Sequence, residues 1–304
     1  MWTSGRRQGA VAAWSLRALA SVAPTDASLL RRAGPLEEWA LFDKLGMTRT
    51  TFENWLQLGT VSRLMRLAER ELCPRTVRRR ILDMRLEVRP RRQQALAARA
   101  RDLGSIYEVF ERGEYDFSVI PWNRIETILD CGANIGAFSL WALARCRGRA
   151  FAVEPSPLTF EVLKQNADRH PGRFEPFCAA LGPQSGRRTF YESRYSANSS
   201  LLPWRLGWDS DLERYDVETM TLGGLIRQSS FDRVDLLKMD VEGVEQEVVL
   251  SLPDTLFRRI GMLIVECHTS LGVHAGTVAQ RLAEAGYSVA VETGRESPLI
   301  LAWR

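Results

Sequence analysis

The chain has 304 residues, 45% of them hydrophobic and 26% charged, which excludes a wholly disordered chain, a collagen-like repeat and a polytopic membrane protein. Its formal charge of +4 conceals two electrostatic halves. Residues 1–104 carry 20 basic and 10 acidic side chains and residues 105–304 carry 21 and 27, giving net charges of +10 and −6. Only three of the 41 basic residues are lysines (Lys44, Lys164 and Lys238), a skew typical of GC-rich coding sequence, so a single arginine says little about phosphate binding.

The apolar stretch Gly9 to Ala23 is broken by Arg17. It falls short of the roughly 20 residues that span a bilayer, and the apolar core before Arg17 is too short for a signal peptide. No transmembrane segment is expected. The first 25 residues bear arginine and no acid, the outline of an organellar presequence and the minor alternative to a cytoplasmic chain. Five cysteines (Cys73, Cys131, Cys146, Cys178 and Cys267) show neither CxxC nor Cys/His spacing, so they read as buried free thiols in a reducing cytosol.

From residue 10 to residue 101 the pattern is helical. Leu36, Trp39, Ala40, Leu41 and Leu45, then Phe52, Trp55, Leu56 and Leu58, recur at helical spacing, and prolines 24, 35, 74 and 90 divide the stretch. Residues 1–104 are therefore predicted to form an all-helical, arginine-rich extension. Trp39 to Leu56, with Gly46 between two short helices, has the outline of a helix-turn-helix, although a hairpin packed on a neighbouring domain is the plainer reading. Arg75 to Arg101 holds ten arginines. It reads as a solvated helix face, or alternatively as a surface for an acidic partner. The absence of aromatic residues there speaks against single-stranded nucleic acid.

After Gly104 strands and helices alternate. Strands are predicted at 127–129, 150–153, 174–180, 234–239, 262–267, 287–292 and 298–303, with helices at 138–145, 159–169, 222–228, 244–252 and 275–285. Such alternation implies a parallel sheet covered by helices on both faces, with ligands at the carboxyl ends of the strands. Only residues 293–297 separate the last two strands, so they should pair as an antiparallel hairpin.

The first strand runs into Asp130-Cys131-Gly132-Ala133-Asn134-Ile135-Gly136. Its glycines permit a sharp strand-to-helix turn and close backbone approach, and amides at the helix start can receive a polar ligand group. The Gly-x-x-x-Gly spacing is neither the dinucleotide fingerprint nor a phosphate loop. Glu154 ends the second strand 22 residues after Gly132, where a carboxylate accepts hydrogen bonds from ribose hydroxyls. Together the loop and the acid point to an adenosine, carried by NAD or by S-adenosylmethionine. The Asp-first loop and the terminal hairpin favour S-adenosylmethionine.

Several blocks carry a family resemblance: Tyr107-Glu108-Val109-Phe110 with Glu114-Tyr115-Asp116, Leu129 to Gly136, Val153 to Pro157, Leu237-Lys238-Met239-Asp240-Val241-Glu242-Gly243-Val244-Glu245, and Val265-Glu266-Cys267-His268. From about residue 107 onward the chain resembles the FkbM-type family of S-adenosylmethionine-dependent methyltransferases. The resemblance implies a class I Rossmann-like fold with a seven-stranded sheet over residues 105–304. It also implies O-methylation of a hydroxyl on a sugar or natural-product scaffold, so that the partner is a small-molecule or glycan acceptor. It assigns Asp130, Gly132, Asn134 and Gly136, with Ala133 in the same loop, to the cofactor site and Glu154 to its ribose. It says nothing about residues 1–104.

Methyl transfer to a hydroxyl needs collinear alignment and a proton acceptor. Asp240 and Glu242 close the fourth strand, and Glu266 and His268 the fifth. These four, with Lys238 as an orienting cation, are the candidate catalytic residues. A neutral His268 is the preferred base; Glu242 also suits a helix cap, and Lys238 a buried ion pair. No metal is assigned, and a divalent cation held by these acids and His268 is the weaker alternative. Tyr195 to Ser200, with Trp204 and Trp208, reads as an acceptor-binding loop or as a solvent loop with two anchors. Two rival functions stay open: N- or C-methylation on the same fold, and a helix-turn-helix regulator carrying a degenerate methyltransferase domain.

Overall fold

The structure is a computed structural model that describes residues 102, 105–106, 108–110, 112–192, 199–202, 213–294 and 297–304. The predicted helical extension, the helix-turn-helix outline and the arginine-rich segment lie outside the described residues, as do Tyr195–Asn198, Trp204 and Trp208.

Seven strands form the main sheet: β1 (Thr127–Cys131), β2 (Arg149–Val153), β3 (Phe174–Phe177), β7 (Val234–Met239), β8 (Ile260–Glu266), β9 (Ser288–Glu292) and β10 (Leu299–Trp303). Their order is β3-β2-β1-β7-β8-β10-β9. β10 runs antiparallel to both β8 and β9, and the other pairings are parallel. The seven-stranded sheet and its terminal hairpin match the sequence expectation. Pro176 is tolerated in β3 because β3 is an edge strand.

The central strands are buried on both faces, which is why they read as near-continuous apolar runs. Leu129, Cys131, Phe151, Val153, Leu237 and Met239 belong to one core layer, beneath α3 (Leu222–Gln228), α4 (Glu245–Ser251), α5 (Asp254–Phe257) and α6 (Ala275–Glu284). Alternate residues, Ile128, Ala150, Ala152, Leu236 and Ile264, belong to the other layer, beneath α1 (Ala137–Leu143) and α2 (Pro157–Ala167). The period of two places Asp130, Lys238 and Glu266 on the α1 face. All seven residues of α1 are buried, because the segment holding Ile106, Tyr115 and Trp122 covers it from outside. Tyr115 meets Phe138 and Trp122 meets Trp141 edge to face, at 5.0 and 5.1 Å between centroids.

Two expectations are corrected. The predicted strand 174–180 is two strands: after β3 the chain leaves the main sheet, and Ala180–Leu181 forms β4 of a second sheet ordered β4-β6-β5. Its other strands, β5 (Gly186–Glu192) and β6 (Glu213–Met220), lay in the stretch read as a long insertion. Each buries only two side chains and therefore lacks a long apolar run. Cys178 is exposed rather than buried, while Cys131, Cys146 and Cys267 are buried free thiols; Cys73 lies outside the described residues. No helix among the described residues is long and apolar enough to cross a membrane.

Gly132 and Gly172 share a φ of +75°, but a Cβ on Gly132 would lie 1.7 Å from the Asp240 carbonyl oxygen, whereas Gly172 has nothing within 4 Å. Gly172→Ala is expected to cost about 1 kcal/mol of left-handed strain. Gly132→Ala adds overpacking and is expected to cost roughly 2–4 kcal/mol. Urea unfolding of the two variants checks the difference.

Candidate functional site

Strand order reverses between β1 and β7, and a cleft opens there at the carboxyl ends of β1, β2 and β7, as expected at a topological switch point. Its lining includes Asn134 of the β1 turn, Glu154 of the β2 turn, Asp240, Val241 and Glu242 of the β7 turn, and Ala180, Leu181, Phe190, Ser199 and Leu201, with Gly132 packed against the Asp240 backbone.

The β1–α1 loop is held by its own backbone. The Gly132 and Ala133 amides both donate to the Val153 carbonyl, at 3.0 Å each, and Gly136 N–H donates to Ala133. Asn134, at φ +51°, donates its N–H to Glu154 Oε2 at 3.0 Å and its side-chain amide to Ser105 at 2.8 Å. Four amides that the sequence offered to a ligand are therefore engaged within the fold. Gly136 is needed for packing: it has φ +87°, and a Cβ there would come within 2.8 Å of Leu163 and Phe174. Glu154 accepts from Ser156 N–H as well, at 2.9 Å. A carboxylate accepts about four hydrogen bonds, more than these two backbone donors use. Ser156 caps α2 through Thr159 N–H and donates its hydroxyl to Glu192 of β5 at 2.6 Å, tying the second sheet to the cleft.

Of the sequence-predicted site residues, Gly132, Asn134, Glu154, Asp240 and Glu242 line the cleft. Asp130, Ala133, Gly136, Lys238, Glu266 and His268 stand behind its lining. Asp130 and Lys238 are register partners on β1 and β7. The Lys238 ammonium lies 3.5 Å from Asp130 Oδ1 and 3.2 Å from Asp240 Oδ2, and donates to the Gly132 carbonyl at 2.8 Å. Burial alone would lower its pKa, but Asp240 and Asp130 together outweigh burial and raise it. Ser139 of α1 donates to the other oxygen of Asp130 at 2.8 Å. Burial nonetheless lifts the Asp130 carboxyl above its ordinary range, against the opposing effect of Lys238.

At its carboxyl end, β7 gives way to a turn in which Glu242 adopts φ +57°. Glu245, the first residue of α4, organises this turn. It is fully buried, and its carboxylate accepts the N–H groups of Val241 and Gly243 at 3.1–3.2 Å. The same carboxylate meets His268 Nδ1 at 2.7 Å. His268 Nε2 lies 3.2 Å from Glu242 Oε2 and 3.6 Å from Asp240 Oδ1. The Glu242 carbonyl accepts the hydroxyl of Ser200, the Ser200 backbone pairs with Tyr191 of β5, and Ser199 lines the cleft.

Burial opposes protonation of His268, but Glu242, Glu245 and Asp240 together raise its pKa well above the usual imidazole value. The expectation of a neutral, free imidazole does not fit a ring with carboxylates at both nitrogens. Burial, with Asp240 adding to it and His268 opposing it, pushes Glu242 up to about 8. Burial and Asp240 push Glu266 up to about 9. Sequence reasoning quoted Glu245 within its block without giving it a role. Its one signal was position: an acid at the start of a helix that follows a strand end, where orphan amides await an acceptor.

Residues 130–289 match the family model described as the methyltransferase FkbM domain. Hexuronic acid methyltransferase AglP of Haloferax volcanii is 28% identical over 197 residues, covering 64% of this chain and 78% of its own length. The 31-O-demethyl-FK506 methyltransferase FkbM of Streptomyces tacrolimicus is 30% identical over 196 residues, covering 55% of this chain and 74% of its own. A solved O-methyltransferase family protein of Burkholderia thailandensis aligns with 87% of this chain and 86% of its own, at 13% identity and a TM-score of 0.40.

Removing one partner of a buried charge pair costs about 3–5 kcal/mol, whereas replacing both with apolar groups is often close to neutral. Lys238→Met is therefore expected to lose that amount in urea unfolding, because it strands the fully buried Asp130. Asp130→Leu combined with Lys238→Met is expected to regain part of the loss.

Proposed function

The chain belongs to the FkbM methyltransferase family, and on that premise we propose that it transfers a methyl group from S-adenosylmethionine to a hydroxyl of a sugar or another natural-product scaffold. The observation that carries the reading is the cleft itself, lined by the Asn134–Glu154 clasp and by Asp240 and Glu242 of the group they form with His268.

The residues suit the cofactor. The cleft lies at the strand ends where the winding of the sheet reverses, the usual place for a ligand in such a fold. Glu154 offers a carboxylate to ribose hydroxyls, and Ala180, Leu181 and Phe190 offer apolar surface to a base. S-adenosylmethionine supplies an electrophilic methyl group when bound. The chain's own part is to align the acceptor and take up its proton. The acceptor oxygen would attack the methyl carbon in line with the sulfur, which would leave as the neutral thioether as its carbon–sulfur bond breaks; Asp240 and Glu242 orient the hydroxyl, and its proton passes to the carboxylate–imidazole group. Lys238 anchors Asp240 from beneath. The electrophile is cationic at sulfur, which fits a site whose charge is mainly acidic.

A hydroxylated acceptor accords with the lack of a basic side chain among the described residues that line the cleft and with the 31-O-demethyl-FK506 substrate in the name of FkbM; the hexuronic acid in the name of AglP offers hydroxyls beside a carboxylate. We place the reaction in the cytoplasm, in keeping with the free thiols of Cys131, Cys146, Cys178 and Cys267.

S-adenosylhomocysteine is expected to bind in calorimetry, and Glu154→Ala to weaken it about 10–100-fold through loss of charge-assisted hydrogen bonds. Asp240→Asn and His268→Ala are expected to lower turnover by about 100-fold or more while changing cofactor affinity far less. Methyl-labelled S-adenosylmethionine, offered with uronates, neutral sugars, polyols and amine acceptors, measures both. Labelling of amines but not hydroxyls would replace the O-methyl reading with N-methylation.

A further inference from the structure

Three potential ligand atoms, one each from Asp240, Glu242 and His268, all lie within 4.8 Å of one another. We propose that Asp240, Glu242 and His268 bind a divalent metal ion of the Mg²⁺/Mn²⁺ class where the β7 turn lines the cleft.

The spacing suits one ion. Two ligands about 2.1 Å from a shared metal at right angles lie about 3 Å apart. His268 Nε2 is 3.2 Å from Glu242 Oε2 and 3.6 Å from Asp240 Oδ1, so modest rotations bring the three atoms onto a common centre. Two carboxylates with one imidazole form a hard, oxygen-rich set, which favours Mn²⁺ or Mg²⁺ over the thiolate-seeking metals.

The orientation of the ring is an independent pointer. Both Glu245 oxygens already accept backbone N–H groups, so the 2.7 Å contact with Nδ1 is a donation from histidine. That contact fixes the ring and directs Nε2 at the two carboxylates. His268 is 8% exposed, and what faces Nε2 is two carboxylate oxygens, which are acceptors. Acceptors on two sides of Nε2 call for a cation, either a proton on the ring or a metal ion that takes the proton's place. A proton on Nε2 serves one carboxylate at a time, whereas a metal ion serves both. A buried carboxylate behind a metal-binding imidazole is the usual outer partner that fixes ring and tautomer, and Glu245 stands in that place.

The ion would neutralise the carboxylates and offer an open coordination position to the acceptor oxygen, polarising its O–H so that the proton leaves as the methyl carbon is attacked. This consequence rests on the methyl-transfer reading above; the cation site does not. Asp240 and Glu242 line the cleft, which gives ion and acceptor a common approach.

The test uses the full chain, stripped with a chelator and titrated with MnCl₂ while the electron paramagnetic resonance signal of free Mn²⁺ is followed. S-adenosylhomocysteine binding is measured on the same sample by calorimetry. The expected result is one Mn²⁺ per chain, displaced by excess Mg²⁺. Glu242→Gln and His268→Gln should each weaken it at least about tenfold, and Glu245→Gln about 10–100-fold. Glu242 sits in a partly exposed turn, so its variant reports even where a change at His268 disturbs folding. A chain that binds S-adenosylhomocysteine yet takes up neither Mn²⁺ nor Mg²⁺ overturns the site, as does wild-type Mn²⁺ affinity in folded Glu242→Gln and His268→Gln. Mn²⁺ uptake without S-adenosylhomocysteine binding upholds the site and overturns the cofactor reading instead.

Discussion

A single ammonium, that of Lys238, joins the parts of this domain that have to meet. Strands β1 and β7 are adjacent where the winding of the sheet reverses, and the loops that leave them both line the cleft. Lys238 holds both loops: it binds Asp130 within β1, the Gly132 carbonyl where β1 ends, and Asp240 where β7 ends. Gly132 and Asp240 cross with no room for a Cβ. The turn that follows β1 and the turn that carries Asp240 and Glu242 are thus one mechanical unit.

This arrangement separates groups that support from groups that act. Asp130, Lys238 and Glu245 are buried, and their bonds run to backbone and to other side chains. Asp240 and Glu242 emerge from that support into the cleft. Rigid holding of exposed acids by buried partners is what positioning chemistry requires, since small displacements of the reacting atoms are costly. The acidic balance of residues 105–304 thereby acquires a local meaning, because Asp130, Glu154, Asp240, Glu242, Glu245 and Glu266 all gather at one edge of the sheet.

The sequence made the main sheet legible because its central strands bury both faces and leave unbroken apolar runs. The predicted helix Leu222–Gln228 coincides with α3, whose Thr221 cap donates a visible start signal. The second sheet was hidden because β6 reads Glu-Arg-Tyr-Asp-Val-Glu-Thr-Met, with only Val217 and Thr219 buried. At the site, adjacency along a strand revealed Asp240, Glu242, Glu266 and His268. What it left out was contact at long range. Glu245 lies 23 residues from His268, and no periodicity encodes which carboxylate turns towards which ring nitrogen. Asp130 shows the converse: its place in the motif suggested a ligand contact, whereas the pleat turns it towards α1 and Ser139.

The second sheet has one further property. β4 and β6 run side by side, with Ala180 opposite Thr219 and Leu181 opposite Met220, so the chain departs from the domain and rejoins it at neighbouring points. Everything between is an excursion whose ends are already clamped, and the entropic cost of lengthening such a loop grows only slowly. The excursion nonetheless supplies Phe190 and Ser199 to the cleft wall. Its described part is also moored within the cleft, through Glu192 to Ser156 and through Ser200 to the Glu242 carbonyl, so a change of sequence there is transmitted to the cleft wall rather than absorbed at the surface.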